Sequence, residues 1–135
     1  MDGPVVYLST WRVKAGKFAD YRRFYAELLQ RISGPDRDVL AFYAFGNDDD
    51  TEITNVHVFP DAATLDRHMA VLQEQMGLIP GDLTSVLAFM EPLDVQVYGS
   101  PTGQAQAMDQ GLKDSGVPFT GKEHFLGGFS LADHT

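Results

Sequence analysis

Between Val5 and Tyr98 the hydrophobic pattern changes period in the order strand, helix, strand, strand, helix, strand, and that order leaves few folds open. Val5-Val6-Tyr7-Leu8-Ser9-Thr10-Trp11 is β-branched and aromatic, as a strand requires, and Lys14-Ala15-Gly16-Lys17 ends it. Phe18, Tyr21, Tyr25, Leu28 and Ile32 then recur three and four apart, while Arg22, Arg23 and Glu27 face away. That spacing predicts an amphipathic helix stopped by Gly34-Pro35. Val39 to Phe45 and Glu52 to Phe59 read as a β-hairpin around Gly46-Asn47-Asp48-Asp49-Asp50.

Pro60-Asp61 starts a second helix, with the Asp61 carboxylate placed to cap it and Leu65, Met69, Leu72 and Met76 as its apolar stripe. Gly77, Pro80 and Gly81 break that helix, a short helix is expected within 82–90, and Leu93 to Tyr98 is a further strand. Two βαβ-like halves in series predict a ferredoxin-like α+β domain over residues 1–99: a four-stranded antiparallel sheet with both helices on one face. Residues 100–135 form an extension that packs on the same domain or on a partner, with a helix around Ala105 to Leu112 and an extra strand within 123–129. Both faces of the strands are apolar, so the open face calls for a second copy, a two-fold homodimer with sheets face to face.

The chain has 135 residues, no cysteine and a net charge of -9. One domain of that size buries about two-thirds of its unfolded surface without a staple. The missing thiols exclude disulfides, zinc knuckles, iron–sulfur clusters and cysteine nucleophiles. A polyanion is repelled by the mean field, so no nucleic-acid partner is expected. Residues 1–37 nevertheless carry seven basic and four acidic side chains, against three and fifteen in the remainder. Either one helix has a basic outer face, or a local site there attracts an anion, with Arg12 and Arg23 as candidates. The N-terminus lacks the pattern of a signal peptide, and the longest apolar run, Val39 to Phe45, falls far short of the ~20 residues of a membrane helix. The expectation is a cytoplasmic protein with no membrane partner.

Metal and phosphate motifs fail on spacing. Asp48-Asp49-Asp50 lacks the calcium-loop alternation, His57, His68, His124 and His134 have no ligand spacing, and Gly127-Gly128 follows no phosphate-loop pattern. The residues that can carry chemistry lie in the sheet and second helix. His68, among Leu65, Met69 and Leu72, is either a general base or a hydrogen-bonded core histidine. His57 and Asn55 share a strand face with Ile53 and Phe59, and they either anchor a ligand or hydrogen-bond across the dimer or to Gln96. Trp11, Tyr7 and Tyr43 either wall an aromatic pocket or fill a core. A cavity of ~300 Å³ or more beside His68 would favour the first set of readings.

Three stretches resemble the dimeric α/β-barrel proteins, and most closely the antibiotic-biosynthesis-monooxygenase-like group. These are Trp11-Arg12-Val13-Lys14-Ala15-Gly16-Lys17-Phe18, Val56-His57-Val58-Phe59-Pro60-Asp61-Ala62-Ala63-Thr64-Leu65-Asp66-Arg67-His68, and Leu93-Asp94-Val95-Gln96-Val97-Tyr98-Gly99. The His57-Val58-Phe59 segment also resembles the NIPSNAP relatives, which rank second. The resemblance covers residues 4–99 and implies a homodimer whose sheet-and-helix cleft takes a small aromatic or polyketide-like ligand. Some such proteins oxidise polycyclic aromatic phenols to quinones with molecular oxygen and no cofactor; others degrade haem through a histidine late in the second helix. Here the equivalent stretch, Met76-Gly77-Leu78-Ile79, has no histidine, so no cofactor is expected. Phe59 stands where the family usually has tryptophan. The implied roles are catalytic for His68 and His57, and substrate-binding for Trp11, Tyr43, Asn55, Phe59 and Tyr7, with a non-catalytic ligand-binding dimer as the alternative.

Overall fold

The computed structural model describes residues 3–35, 38–77 and 84–129. Its elements run β1 (Val5–Val13), α1 (Phe18–Ile32), β2 (Ala41–Gly46), β3 (Glu52–Phe59), α2 (Ala62–Met76), α3 (Thr84–Leu87), β4 (Met90–Tyr98), α4 (Gly103–Asp114) and β5 (Phe119–Lys122). The sheet order is β2-β3-β1-β4-β5, with every neighbouring pair antiparallel except β4 and β5. The first four strands give the ferredoxin-like order expected of βαββαβ, and β5 adds a fifth.

Local chemistry explains the boundaries. Asp61 caps α2 by accepting from the Thr64 amide at 2.7 Å, and Gly77 ends it at φ 68, a left-handed turn that glycine adopts without a Cβ penalty. The Asn47 side-chain oxygen accepts from the Thr51 and Glu52 amides, closing the β2–β3 loop. β4 begins three residues earlier than the hydrophobic run suggests. Its register against β1 shifts by one residue between Thr10 and Trp11, and that bulge accommodates Pro92 inside the strand. The short helix expected within 82–90 appears as α3, while residues 78–83 lie outside the described residues.

The extension differs from expectation in one element. Its helix starts at Gly103 and packs on α2, but the added strand is 119–122, and 123–129 forms none. The four residues of β5 carry little hydrophobic pattern; parallel pairing with Val95 to Tyr98 defines them. Phe125, Leu126 and Phe129, whose apolarity suggested the strand, stay exposed.

Alternation sorts the sheet into two faces. Val5, Tyr7, Trp11, Ile53, Asn55, Phe59, Val95 and Val97 are buried on the helix side. Two core clusters form there, one around Tyr7, Phe59, Leu65 and Met69 and the other around Trp11, Tyr21, Ile53 and Met90. Each large apolar side chain so placed contributes about 1.5–3 kcal/mol. The other face carries Val6, Leu8, Val56 and Val58 half-buried, with Tyr43 and Phe45 exposed at its rim. None of the described helices is long and apolar enough to cross a membrane.

Candidate functional site

A cavity of about 180 Å³ opens where the two core clusters meet, between the inner sheet face and the helices. It is smaller than the ~300 Å³ common for drug-sized ligands and close to the ~150 Å³ that holds one benzene ring. A single substituted ring matches its volume. The sheet supplies Tyr7, Trp11, Asn55, His57 and Phe59 to its wall, and α2 supplies His68. Six of the seven side chains singled out from the sequence therefore lie together.

Tyr43 is the exception. It is 56% exposed on the opposite sheet face, and its neighbour Phe42 takes the place expected of it. Strand alternation decides this: Phe42 and Tyr7 both pair with His57, so the three share the inner face. The Phe42 ring lies flat on the His57 imidazole, with centroids 3.8 Å apart and planes 3° from parallel. Phe42 and Phe59 also lie against the His68 ring, at 5.3 and 5.1 Å.

The polar atoms are few and unevenly satisfied. Trp11 Nε1 donates to Ser9 Oγ at 3.0 Å, which fixes the indole edge in the wall. Asn55 Oδ1 and His57 Nε2 are shielded from solvent and have no hydrogen-bond partner in the protein. Leaving one such atom unpaired costs about 1–3 kcal/mol, and two of them on one strand face mark an unusual spot. Burial, reinforced by neighbouring His68, pushes the His57 imidazole down to about 3. His57 is therefore neutral at physiological pH, a hydrogen-bonding group and a poor proton store.

The extension also reaches this site, a contact that no local pattern in residues 100–135 signals. Met108 and Leu112 of α4 line the cavity. Between them, buried Asp109 accepts the Tyr7 hydroxyl at 2.9 and 3.2 Å, one bond to each carboxylate oxygen. Burial pushes the Asp109 carboxyl up to about 6, against the Tyr7 hydrogen bond and the Lys113 ammonium. Burial and the Asp109 charge raise the Tyr7 hydroxyl above its ordinary range, so it stays a donor. At its other end α4 is tied down by Thr102, whose hydroxyl donates to Asp66 at 2.8 Å.

Neither arginine first suspected of holding an anion is free to do so. Arg12 lies 3.5 Å from Glu91, and Arg23 pairs with Asp20. Among the described residues no three histidine or acidic side chains converge as metal ligands would.

No protein-family model matches the sequence, and no curated protein matches it. Solved structures do. The chain is similar to MupZ from Pseudomonas fluorescens, with a TM-score of 0.64 and 14% identity over 100% of this chain and 94% of that one. That match includes the extension. A candidate antibiotic biosynthesis monooxygenase from Bacteroides thetaiotaomicron aligns at TM-score 0.51 and 17% identity, over 65% of this chain and 80% of that one. A candidate monooxygenase from Shewanella loihica aligns at 0.53 and 13%, over 76% and 99%. At these identities the likeness is one of backbone, and it agrees with the sheet order above: the chain has the ferredoxin-like α+β fold of the antibiotic-biosynthesis-monooxygenase-like proteins.

Proposed function

We propose that the cavity binds a single-ring phenol or a polyketide-like compound of that size and oxidises it with molecular oxygen, without a cofactor. The observation that carries this reading is the pair of shielded, unpartnered atoms, Asn55 Oδ1 and His57 Nε2, on two residues that line a mainly aromatic and aliphatic cavity. A ligand hydroxyl placed between them satisfies both, while Trp11, Phe42 and Phe59 hold the ring. His68, in the same lining, is the base that takes the phenolic proton when the hydroxyl turns from Asn55 Oδ1 toward it, and neutral His57 adds no competing positive charge.

The electron count closes without a flavin or metal. The phenolate passes one electron to oxygen, giving a phenoxyl radical and superoxide. These combine at a ring carbon bearing hydrogen, and the peroxide takes up a proton and loses water to leave a quinone. One phenol and one oxygen thus give one quinone and one water.

Oxygen uptake with a panel of single-ring and fused-ring phenols tests the reading. The native protein is expected to consume oxygen with the single-ring members, and His68→Ala to lower the rate by about 10²-fold. Equal rates in the two proteins remove His68 from the mechanism. Binding of the phenols without oxygen uptake leaves a non-catalytic ligand-binding protein.

The same reading includes a homodimer through the open sheet face, supported by exposed Tyr43 and Phe45 beside Val6, Leu8, Val56 and Val58. Sedimentation is expected to give twice 14.9 kDa at micromolar concentration, with Phe45→Glu returning the monomer. A monomeric native protein sinks this part alone.

A further inference from the structure

A second, outer cavity of about 320 Å³ lies between α1 and the edge strand β2. It shares Tyr21 and Tyr25 with the inner one, and the two rings stack with centroids 5.8 Å apart. Its apolar walls include Phe18, Leu29 and Ile53. Two polar groups stand out against them. Tyr25 Oη is shielded from solvent and has no hydrogen-bond partner in the protein. Arg22, three residues earlier and so adjacent on the helix surface, lines the same cavity.

Arg22 differs from most of the other cations. Arg12, Lys17, Arg23, Arg31 and Arg67 each pair with a carboxylate, and Lys113 and Lys122 lie over aromatic rings. Among the described residues Arg22 has no carboxylate partner. It sits in the first 37 residues, where basic side chains outnumber acidic ones seven to four in a chain of net charge -9. An anion repelled elsewhere on the molecule meets less repulsion here.

We infer that the outer cavity is the subsite for a carboxylate on the ligand's side chain: the ring occupies the inner cavity, and the acid group rests on the Arg22 guanidinium and the Tyr25 hydroxyl. The inference builds on the inner cavity as a ring-binding site. A guanidinium offers two parallel N–H donors to the two oxygens of a carboxylate. Tyr25 adds a third donor when its hydroxyl, shielded in the free protein, turns to the acid group, and burial pushes that hydroxyl up to about 12 and keeps the proton on. The ligand class this selects is an aryl or short acyl carboxylic acid, the ring and acid joined by a short flexible stem. A neutral phenol leaves the outer subsite unused.

Trp11 is the single tryptophan and lines the inner cavity, so its fluorescence reports ring binding. Three probes suffice: phenol, 3-(4-hydroxyphenyl)propanoate and the primary amide of that acid. The acid is expected to bind the native protein about tenfold tighter than the amide, since one charge-assisted site is partly exposed. That ratio falls toward one in Arg22→Gln, falls in part in Tyr25→Phe and shrinks with added salt. Arg12→Gln, which removes an exposed, ion-paired arginine, keeps it. Equal binding of acid and amide to the native protein, or a ratio untouched by Arg22→Gln, overturns the subsite and leaves the inner cavity standing. Quenching by none of the three removes both.

Discussion

Replacing Asp109 with Asn is expected to make the protein lose about 2–3 kcal/mol of stability between pH 6 and pH 4, an interval over which the native chain changes little. Two buried groups of opposite sense are expected to offset each other in the native chain. The His57 imidazole falls to about 3 in the folded protein, so the unfolded chain binds its proton first. Its contribution is present above the unfolded value of ~6.5 and is lost progressively as the pH falls. Asp109 titrates near 6 when folded, so here the folded chain binds the proton first. Its contribution grows as the pH falls through 6 and is complete below ~4.

Each variant exposes the other group. Asp109→Asn keeps an acceptor for the Tyr7 hydroxyl and leaves the loss from His57 uncompensated. His57→Phe keeps a ring against Phe42 and leaves the gain from Asp109, so that variant becomes more stable on acidification from pH 6.5 to 4. The charges nearest these groups are Lys113 beside Asp109, Asp66 toward Tyr7, and His68 beside His57, and all are retained in both variants. Urea unfolding at four pH values measures the effect. Parallel curves for the native protein and both variants would show that neither group is coupled to folding.

The largest single loss of stability is expected from Phe59→Ala, about 3–5 kcal/mol. Phe59 is 1% exposed, meets the Tyr7 ring edge-on at 6.5 Å and touches the His68 ring. Its removal enlarges a cavity that already exists, so the neighbours have little reason to collapse inward. The variant is therefore expected to favour 1-naphthol over phenol by about tenfold more than the native protein does, because extra apolar contact is worth ~1–3 kcal/mol in such a pocket. Unfolding curves and Trp11 quenching give the two numbers. A loss under ~1.5 kcal/mol, or an unchanged preference, contradicts the view of Phe59 as a wall that limits ligand size.

Much of this architecture is legible in the chain because local rules and tertiary packing agree. The stripe from Phe18 to Ile32, the break at Gly34-Pro35, the Asp61 cap and the Gly77 stop each act within a few residues. Period-two alternation likewise places Asn55, His57 and Phe59 on one face, as the structure does. The same rule, followed across the hairpin, assigns the inward position to Phe42, which pairs with His57, and the outward one to Tyr43, which pairs with Val56. Asp109 was beyond reach for another reason. A lone carboxylate on a short helix reads as solvated surface, and only the docking of α4 across α2 brings it to a tyrosine 102 residues away. Arg22 faces outward by periodicity, yet it lines a cavity together with Ala44, Phe45 and Gly46 of the edge strand.

The docking of α4 also changes what counts as the smallest working unit of this molecule. The first 99 residues contain all the strands and helices of a ferredoxin-like domain, yet Met108 and Leu112 wall the inner cavity, and Asp109 holds the tyrosine between them. A shortened chain that kept the sheet would leave the cavity without its α4 wall, wetter and with a free tyrosine hydroxyl. An appended segment has become the back of the room, and variation along α4 reshapes the ligand's surroundings as directly as variation in the sheet.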